Sequence, residues 1–266
     1  MGKAARLKQE RRVTKPPPPV GKAATRPPQR MVLLASAGIA GIIVVVVVIL
    51  LATKSSPKTA PPAKVTASDA NAPASLISAA QAVGFHPTTE AGVGEIESKP
   101  AKDAQPPSNP SLLAVGTFAP NFTLETPEGD KVSLASYRGK TVLLEFFATW
   151  CPHCNAEEPN LTTMANSLRS KGVQFLAVNA DGETAPSVYA FHRYYGMTYP
   201  ALVDPSSQPG SFNSEGGAGQ VSNVFHVEAF PTFYILDKTG KITWRSDGEQ
   251  PNALLRQELL KAAAGA

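Results

Sequence analysis

Cysteine is almost absent: two residues in 266, which excludes a fold that depends on a disulfide framework. Histidine is scarce as well. His86, His153, His192 and His226 show no H-x3-5-H spacing, and without a second cysteine pair a four-ligand zinc site cannot be assembled. No glycine-rich phosphate-binding pattern occurs, so no nucleotide, haem or metal is called for as a cofactor. Basic charge is lacking wherever a nucleic-acid surface would need it. The formal net charge is +4, but Lys3, Arg6, Lys8, Arg11, Arg12, Lys15, Lys22, Arg26 and Arg30 face Glu10 alone, a net +8 that leaves −4 for residues 31–266. The basic block therefore reads as topology and contact with anionic lipid, not nucleic-acid binding.

What is present divides the chain into four pieces. Residues 1–30 are too polar and too proline-rich, with Pro16 to Pro19 in a row, to build a core, and are expected to be a disordered cytoplasmic tail. Met31 to Thr53 carries no charge and includes the run Val44 to Val48. At 1.5 Å per residue it reaches about 34 Å as a helix, enough to cross a bilayer. A cleaved signal peptide fits less well, because its apolar region runs about 7–15 residues and ends at a small-residue cleavage site. No cysteine stands nearby for a lipoprotein anchor. The basic block before the span orients the N-terminus to the cytoplasm and the remainder outside it.

Residues 54–110 are rich in Pro, Ala, Ser and Lys, the composition of a linker. One patch interrupts it: residues 74–83 have helical apolar spacing and stop at Gly84. Leu76, Ile77, Val83 and Phe85 are costly to leave in water, which favours docking of this helix on the main domain over a free spacer.

Residues 111–266 are the size of one domain. Phe122–Leu124 and Val132–Leu134 flank a turn at Pro127–Asp130 and read as a hairpin. Thr141–Ala148 and Val173–Asn179 read as strands buried on both faces. Cys154–Ser170 has helical periodicity, with Leu161, Met164 and Leu168 on one stripe. Ala185–Tyr195 reads as a helix with Pro186 early in it, and Pro200–Val203 as a short strand. Phe233–Leu236 and Lys241–Trp244 form a second hairpin, and Asn252–Ala264 closes as a helix. The alternation predicts an α/β fold with a central mixed sheet flanked by helices.

Both cysteines lie in Trp150-Cys151-Pro152-His153-Cys154, between a strand and a helix. The expected geometry leaves Cys151 exposed at a helix N-terminus, where unpaired N–H groups and the helix dipole favour a thiolate. Cys154, one turn on, is within reach of a mixed disulfide formed by Cys151. A purely structural disulfide across two residues would constrain almost nothing in the unfolded chain. Cys-x-x-Cys beside a βαβ pattern is the thioredoxin-type redox arrangement.

The chain resembles a family more closely still. Gly116, Ala119-Pro120-Asn121-Phe122 and Leu124, then Phe146 through Cys154, then Glu157 and Pro159, are similar to the TlpA/ResA-type membrane-anchored thioredoxins. Tyr199 through Asp204, and Phe230-Pro231-Thr232 through Asp237 and Gly240, continue the likeness over about residues 112–262. It implies a thioredoxin-like fold and a redox-active Cys151/Cys154 pair, with Cys151 as nucleophile and Cys154 as resolving thiol. Trp150, Pro152, His153, Phe230 and Thr232 would support that pair, and Pro231 would be a cis proline whose neighbouring backbone receives the substrate in strand-like pairing. Glu145 matches the buried carboxylate of thioredoxins and Glu157 the acid three residues after the motif. A carboxyl buried near Cys154 can accept the resolving thiol's proton; alternatively Glu157 is a solvated first-turn residue favoured by the helix dipole.

The expected activity is reduction of disulfides in exported proteins such as apocytochrome c, supplied by a membrane dithiol donor of the DsbD/CcdA kind. Three other functions compete with it. Copper delivery suits a thiolate pair, but the copper-chaperone relatives of this fold use C-x-x-x-C. A DsbA-type dithiol oxidase shares Pro152-His153 but carries a long helical insertion, for which Asn179 to Tyr199 has no room. A peroxiredoxin shares Ala-Pro-Asn-Phe but places Thr where Ala148 stands.

Overall fold

The computed structural model describes residues 72–103, 109–205 and 220–265, all within one unit, Thr59–Ala266. The basic tail, the apolar stretch at 31–53 and the first part of the linker lie outside the described residues. Among those described, no helix is long and apolar enough to cross a membrane.

Seven strands form one mixed sheet in the order β2-β1-β5-β4-β3-β6-β7. They are β1 (Thr123–Glu125), β2 (Lys131–Ser133), β3 (Thr141–Phe147), β4 (Val173–Asn179), β5 (Ala201–Val203), β6 (Thr232–Leu236) and β7 (Ile242–Asp247). The helices are α1 (Ala74–Val83), α2 (Pro152–Leu168), α3 (Ala185–Tyr195), α4 (Gln220–Val224) and α5 (Asn252–Ala264). β3 runs parallel to β4 and β4 to β5, whereas β6 pairs antiparallel to β3 and β7 to β6. The first hairpin forms in the expected frame, pairing Leu124 with Val132, with each strand set one residue nearer the turn.

Period-two alternation along β3 divides the core. Leu143 and Phe147 join Leu161, Phe191, Ile235 and Leu255 on the face that carries α1, α2, α3 and α5. Val142, Leu144 and Phe146 join Leu124, Val178, Phe225 and Tyr234 on the other. Both faces are dry, so every residue of β3 is buried, including Glu145.

α1 docks. Leu76 and Ala80, four residues apart, are buried, and Phe85 meets the rings of Phe191, Tyr194 and Tyr195 edge-on at 5.2, 5.0 and 5.8 Å. Such ring pairs add about 0.5–1.5 kcal/mol each beyond area burial. Val83, expected among the docking residues, is 55% exposed. The chain turns at Gly84 (φ +67°) and delivers Phe85 to the aromatic cluster in its place. The boundary expected at 111 is therefore too late, because α1 and the arm that follows it, residues 85–103, belong to the folded domain. The arm's last turn, Ala101–Asp103, packs on α5.

Candidate active site

β3 delivers the chain to Ala148, and a tight turn through Thr149 and Trp150 leads into α2. Acids at the end of β4 hold that turn. Glu183 Oε2 accepts the Thr149 N–H and the Asn179 side-chain amide, both at 2.6 Å. Asp181 accepts the Trp150 indole N–H at 2.6 Å. Asn155 donates to the carbonyls of Thr149 (2.8 Å) and Cys151 (2.6 Å), and accepts from Tyr195 Oη at 2.8 Å.

α2 begins two residues before the expected Cys154. Pro152 fits the first turn because its fixed φ suits a helix and its missing N–H has no intrahelical role there. That makes Cys151 the N-cap, and its sulfur accepts the Cys154 N–H at 3.4 Å. Both cysteines are free thiols. The Cys154 thiol, more than its N–H, pulls the Cys151 thiol down to about 7 against the opposing cost of burial, with help from His153. Cys151 is only 3% exposed, not the open thiol expected, because the Phe230–Pro231 loop closes over it and its sulfur lies 3.7 Å from the Phe230 carbonyl. Its thiolate is thus stabilised by fixed donors more than by water. Cys154 is fully buried, and burial, followed by Cys151 and Glu145, pushes its thiol well up.

The Phe230–Pro231 peptide is cis, as the resemblance implied. Thr232 Oγ1 ties back to the Ala229 carbonyl at 2.7 Å, and Trp150, half exposed, meets Phe230 edge-on at 6.2 Å.

The two acids part company. Glu145 is buried with neither carboxylate oxygen hydrogen-bonded. Burial raises its pKa well above the usual carboxylate range, and Glu158 and Cys151 add to the rise. It also acts on Cys154. Glu157 is buried too, 1% exposed and not solvated, but its Oε1 accepts the Gln250 N–H at 2.6 Å and so faces the β7–α5 loop. Desolvation raises its pKa as well. Of the two acids, Glu145 is the one that acts on Cys154. Glu145→Gln should slow resolution of a mixed disulfide by about a hundredfold, the low end for a lost general base. Quenched-flow release of a mixed-disulfide peptide measures this, and an unchanged rate would remove Glu145 from the proton path.

Sequence reasoning missed three groups. Glu158 is buried, accepts from Tyr199 Oη at 2.6 Å and Thr162 Oγ1 at 3.0 Å, and is pushed up to about 8 by burial. Its place four residues after Cys154, on one helix face, was the available signal. The Asp181/Glu183 pair at the end of β4 was legible only as a loop. Glu249, in contact with His153 Nδ1, lies 96 residues away in sequence and left no signal. Among the described residues, no group of three His, Cys, Asp or Glu is arranged to hold a metal ion.

The chain is similar to known proteins. The AhpC/TSA family profile matches residues 115–245. The thiol-disulfide oxidoreductase ResA of Bacillus cereus is 31% identical over 154 residues, 58% of this chain and 82% of that protein. ResA of Geobacillus thermodenitrificans is 34% identical over 149 residues, 56% of this chain and 78% of its own. A DsbE-like thiol:disulfide interchange protein of Chlorobium tepidum superposes with a TM-score of 0.50 at 28% identity, covering 57% of this chain and 99% of its own. With a thioredoxin-like sheet, a low-pKa N-cap cysteine and a buried partner thiol one turn on, the chain belongs to the ResA family of thiol-disulfide oxidoreductases.

Proposed function

We propose that this enzyme is a membrane-anchored, extracytoplasmic disulfide reductase. Cys151 attacks one sulfur of a client disulfide, forming a mixed disulfide and expelling the other client sulfur as a thiolate, which takes up a proton. Cys154 then loses its proton to Glu145 in its ionised form and attacks Cys151, so that the client leaves as a dithiol and Cys151–Cys154 remains oxidised. A membrane dithiol of the DsbD/CcdA kind returns the two electrons. Exported proteins, apocytochrome c among them, are the client class.

The observation that supports the reducing direction is the moderate pull on Cys151. A nucleophile near 7 is that of thioredoxin, whereas the strong oxidant DsbA holds its cysteine near 3.5. The single helix between β4 and β5 agrees, since a DsbA-type insertion has no place there. Redox titration against glutathione and dithiothreitol buffers should give a potential between about −270 and −120 mV, above thioredoxin because of His153. A value near −120 mV, with efficient oxidation of a reduced unfolded protein, would leave an anchored oxidase instead.

The anchor rests on the uncharged stretch 31–53 and the basic block before it. Protease added to spheroplasts should digest the domain and spare the N-terminal tail. Cysteines accessible only after the membrane is opened would reverse the orientation.

A further inference from the structure

His153 stands between the two cysteines, and its surroundings come from three separate parts of the chain. Its Nδ1 contacts Glu249 Oε1 in the loop between β7 and α5. Glu249 is held in turn by the arm, since the Gly94 N–H donates to both its oxygens, at 3.1 and 3.0 Å. The arm passes close over α2 at this point. A Cβ on Gly94, whose φ is +84°, would stand 3.4 Å from the Ala156 methyl. Next to this contact the Glu97 carboxylate accepts from Asn160 on α2, and the Glu97 carbonyl accepts from Asn252 N–H at 3.0 Å. Arm, loop and catalytic helix are thus knotted beside the reactive sulfur. The His153 side chain is 46% exposed, while that of Glu249 is 7% exposed.

We propose that Glu249 is a positioning residue for His153, and through it for the Cys151 thiolate, and that residues 85–103 hold it in place. The arm lies wholly outside residues 115–245, the stretch matched by the family profile. Two consequences of the contact carry it. A carboxylate that accepts from Nδ1 fixes the ring's orientation and tautomer, leaving Nε2 turned away from Glu249. The same contact holds the ring where its influence reaches the Cys151 sulfur, on which His153 acts to favour the thiolate. The anion itself is a remote influence on the sulfur. The groups acting on Cys151 are Cys154 and His153, and Glu249 is not among them. The charges behind Glu249 are Glu97 and Glu157, both of which feel it. Removing Glu249 therefore weakens the thiolate through the imidazole, and a weaker thiolate makes the disulfide form easier to keep.

The inference rests on Cys151 being the attacking thiol but not on the direction of electron flow, because it is read from ratios between variants. In the full chain, Glu249→Gln should slow iodoacetamide alkylation of Cys151 at pH 7 by about three- to tenfold. It should shift the equilibrium with glutathione toward the disulfide by a similar factor, making the variant a better reductant. In a His153→Gln background the same substitution should change neither quantity, as expected when one residue acts through the other. An undiminished effect in that background would overturn the proposal, as would no effect in the parent chain. Should Glu249→Gln fail to fold, 15N imidazole spectra of the unmodified protein decide the matter. A proton on Nδ1 is expected, and a bare Nδ1 would refute the arrangement.

Discussion

Cys151→Ser is expected to abolish disulfide reduction, by more than about a thousandfold, the scale on which loss of a nucleophile costs other covalent enzymes. Cys154→Ser is expected to do as much damage to turnover by a different route, leaving the protein linked to its clients as mixed disulfides. The asymmetry follows from the helix start. Cys151 caps α2 and is favoured as a thiolate by the Cys154 thiol first and its N–H second, so near pH 7 about half of it is thiolate. Cys154 is sealed inside with its thiol pushed up, and becomes a nucleophile only when a base takes its proton. Alkylation of the reduced protein followed across pH should therefore show one fast site with a midpoint close to 7, mapped by mass spectrometry to Cys151. Mixed disulfides trapped by Cys151→Ser instead of Cys154→Ser would reverse the two roles.

The stability of the reduced enzyme should fall as pH rises from about 4.5 towards 8, the reverse of the usual carboxylate behaviour. Glu158 is fully buried, with one oxygen shared between Tyr199 and Thr162 and the other without a hydrogen-bond partner, and its pKa stands at about 8 against an ordinary 4.5. Between those values the folded protein keeps a proton that the unfolded chain has released. The stabilisation is complete below about 4.5 and is lost as pH climbs through about 8. Glu145 and Glu157, raised by the same desolvation, steepen the fall. Glu158→Gln imitates the protonated acid, preserves an oxygen to accept from both hydroxyls, and removes its share of the slope. The gain at pH 8 is bounded by about 5 kcal/mol and is negligible near pH 4. Urea unfolding at pH 4.5, 6 and 8 checks this; parallel profiles for the variant and its parent would refute it. Acids kept at such expense beside the thiols are characteristic of active sites, where proton movement is required of them.

Much of this architecture is legible in local sequence. β4, α1, α3 and α5 occur within the residues that periodicity and stop signals predict, because each has an apolar pattern bounded by Gly or Pro. The departures also have local causes. Pro152 starts α2 earlier than the hydrophobic stripe does, since a proline at the first turn is favoured whatever follows it. Linker composition between 54 and 110 hid the arm, whose attachment depends on Phe85 and on backbone groups such as the Gly94 amide. Nothing in composition reports a backbone contact of that kind.

The sequence by itself determined which atoms do the chemistry. Two cysteines at this spacing after an apolar strand leave thiol exchange as the available reaction, and local rules suffice because strand, turn and helix start are contiguous. Only the tertiary structure decided how the two thiols differ and what surrounds them. Burial separates Cys151 from Cys154, and side-chain direction separates Glu145, facing the thiols, from Glu157, facing Gln250. Contact across 96 residues of chain brings Glu249 to His153. Desolvation and Coulomb energy depend on what packs around a group in space, and that packing is assembled from segments whose proximity no local pattern records.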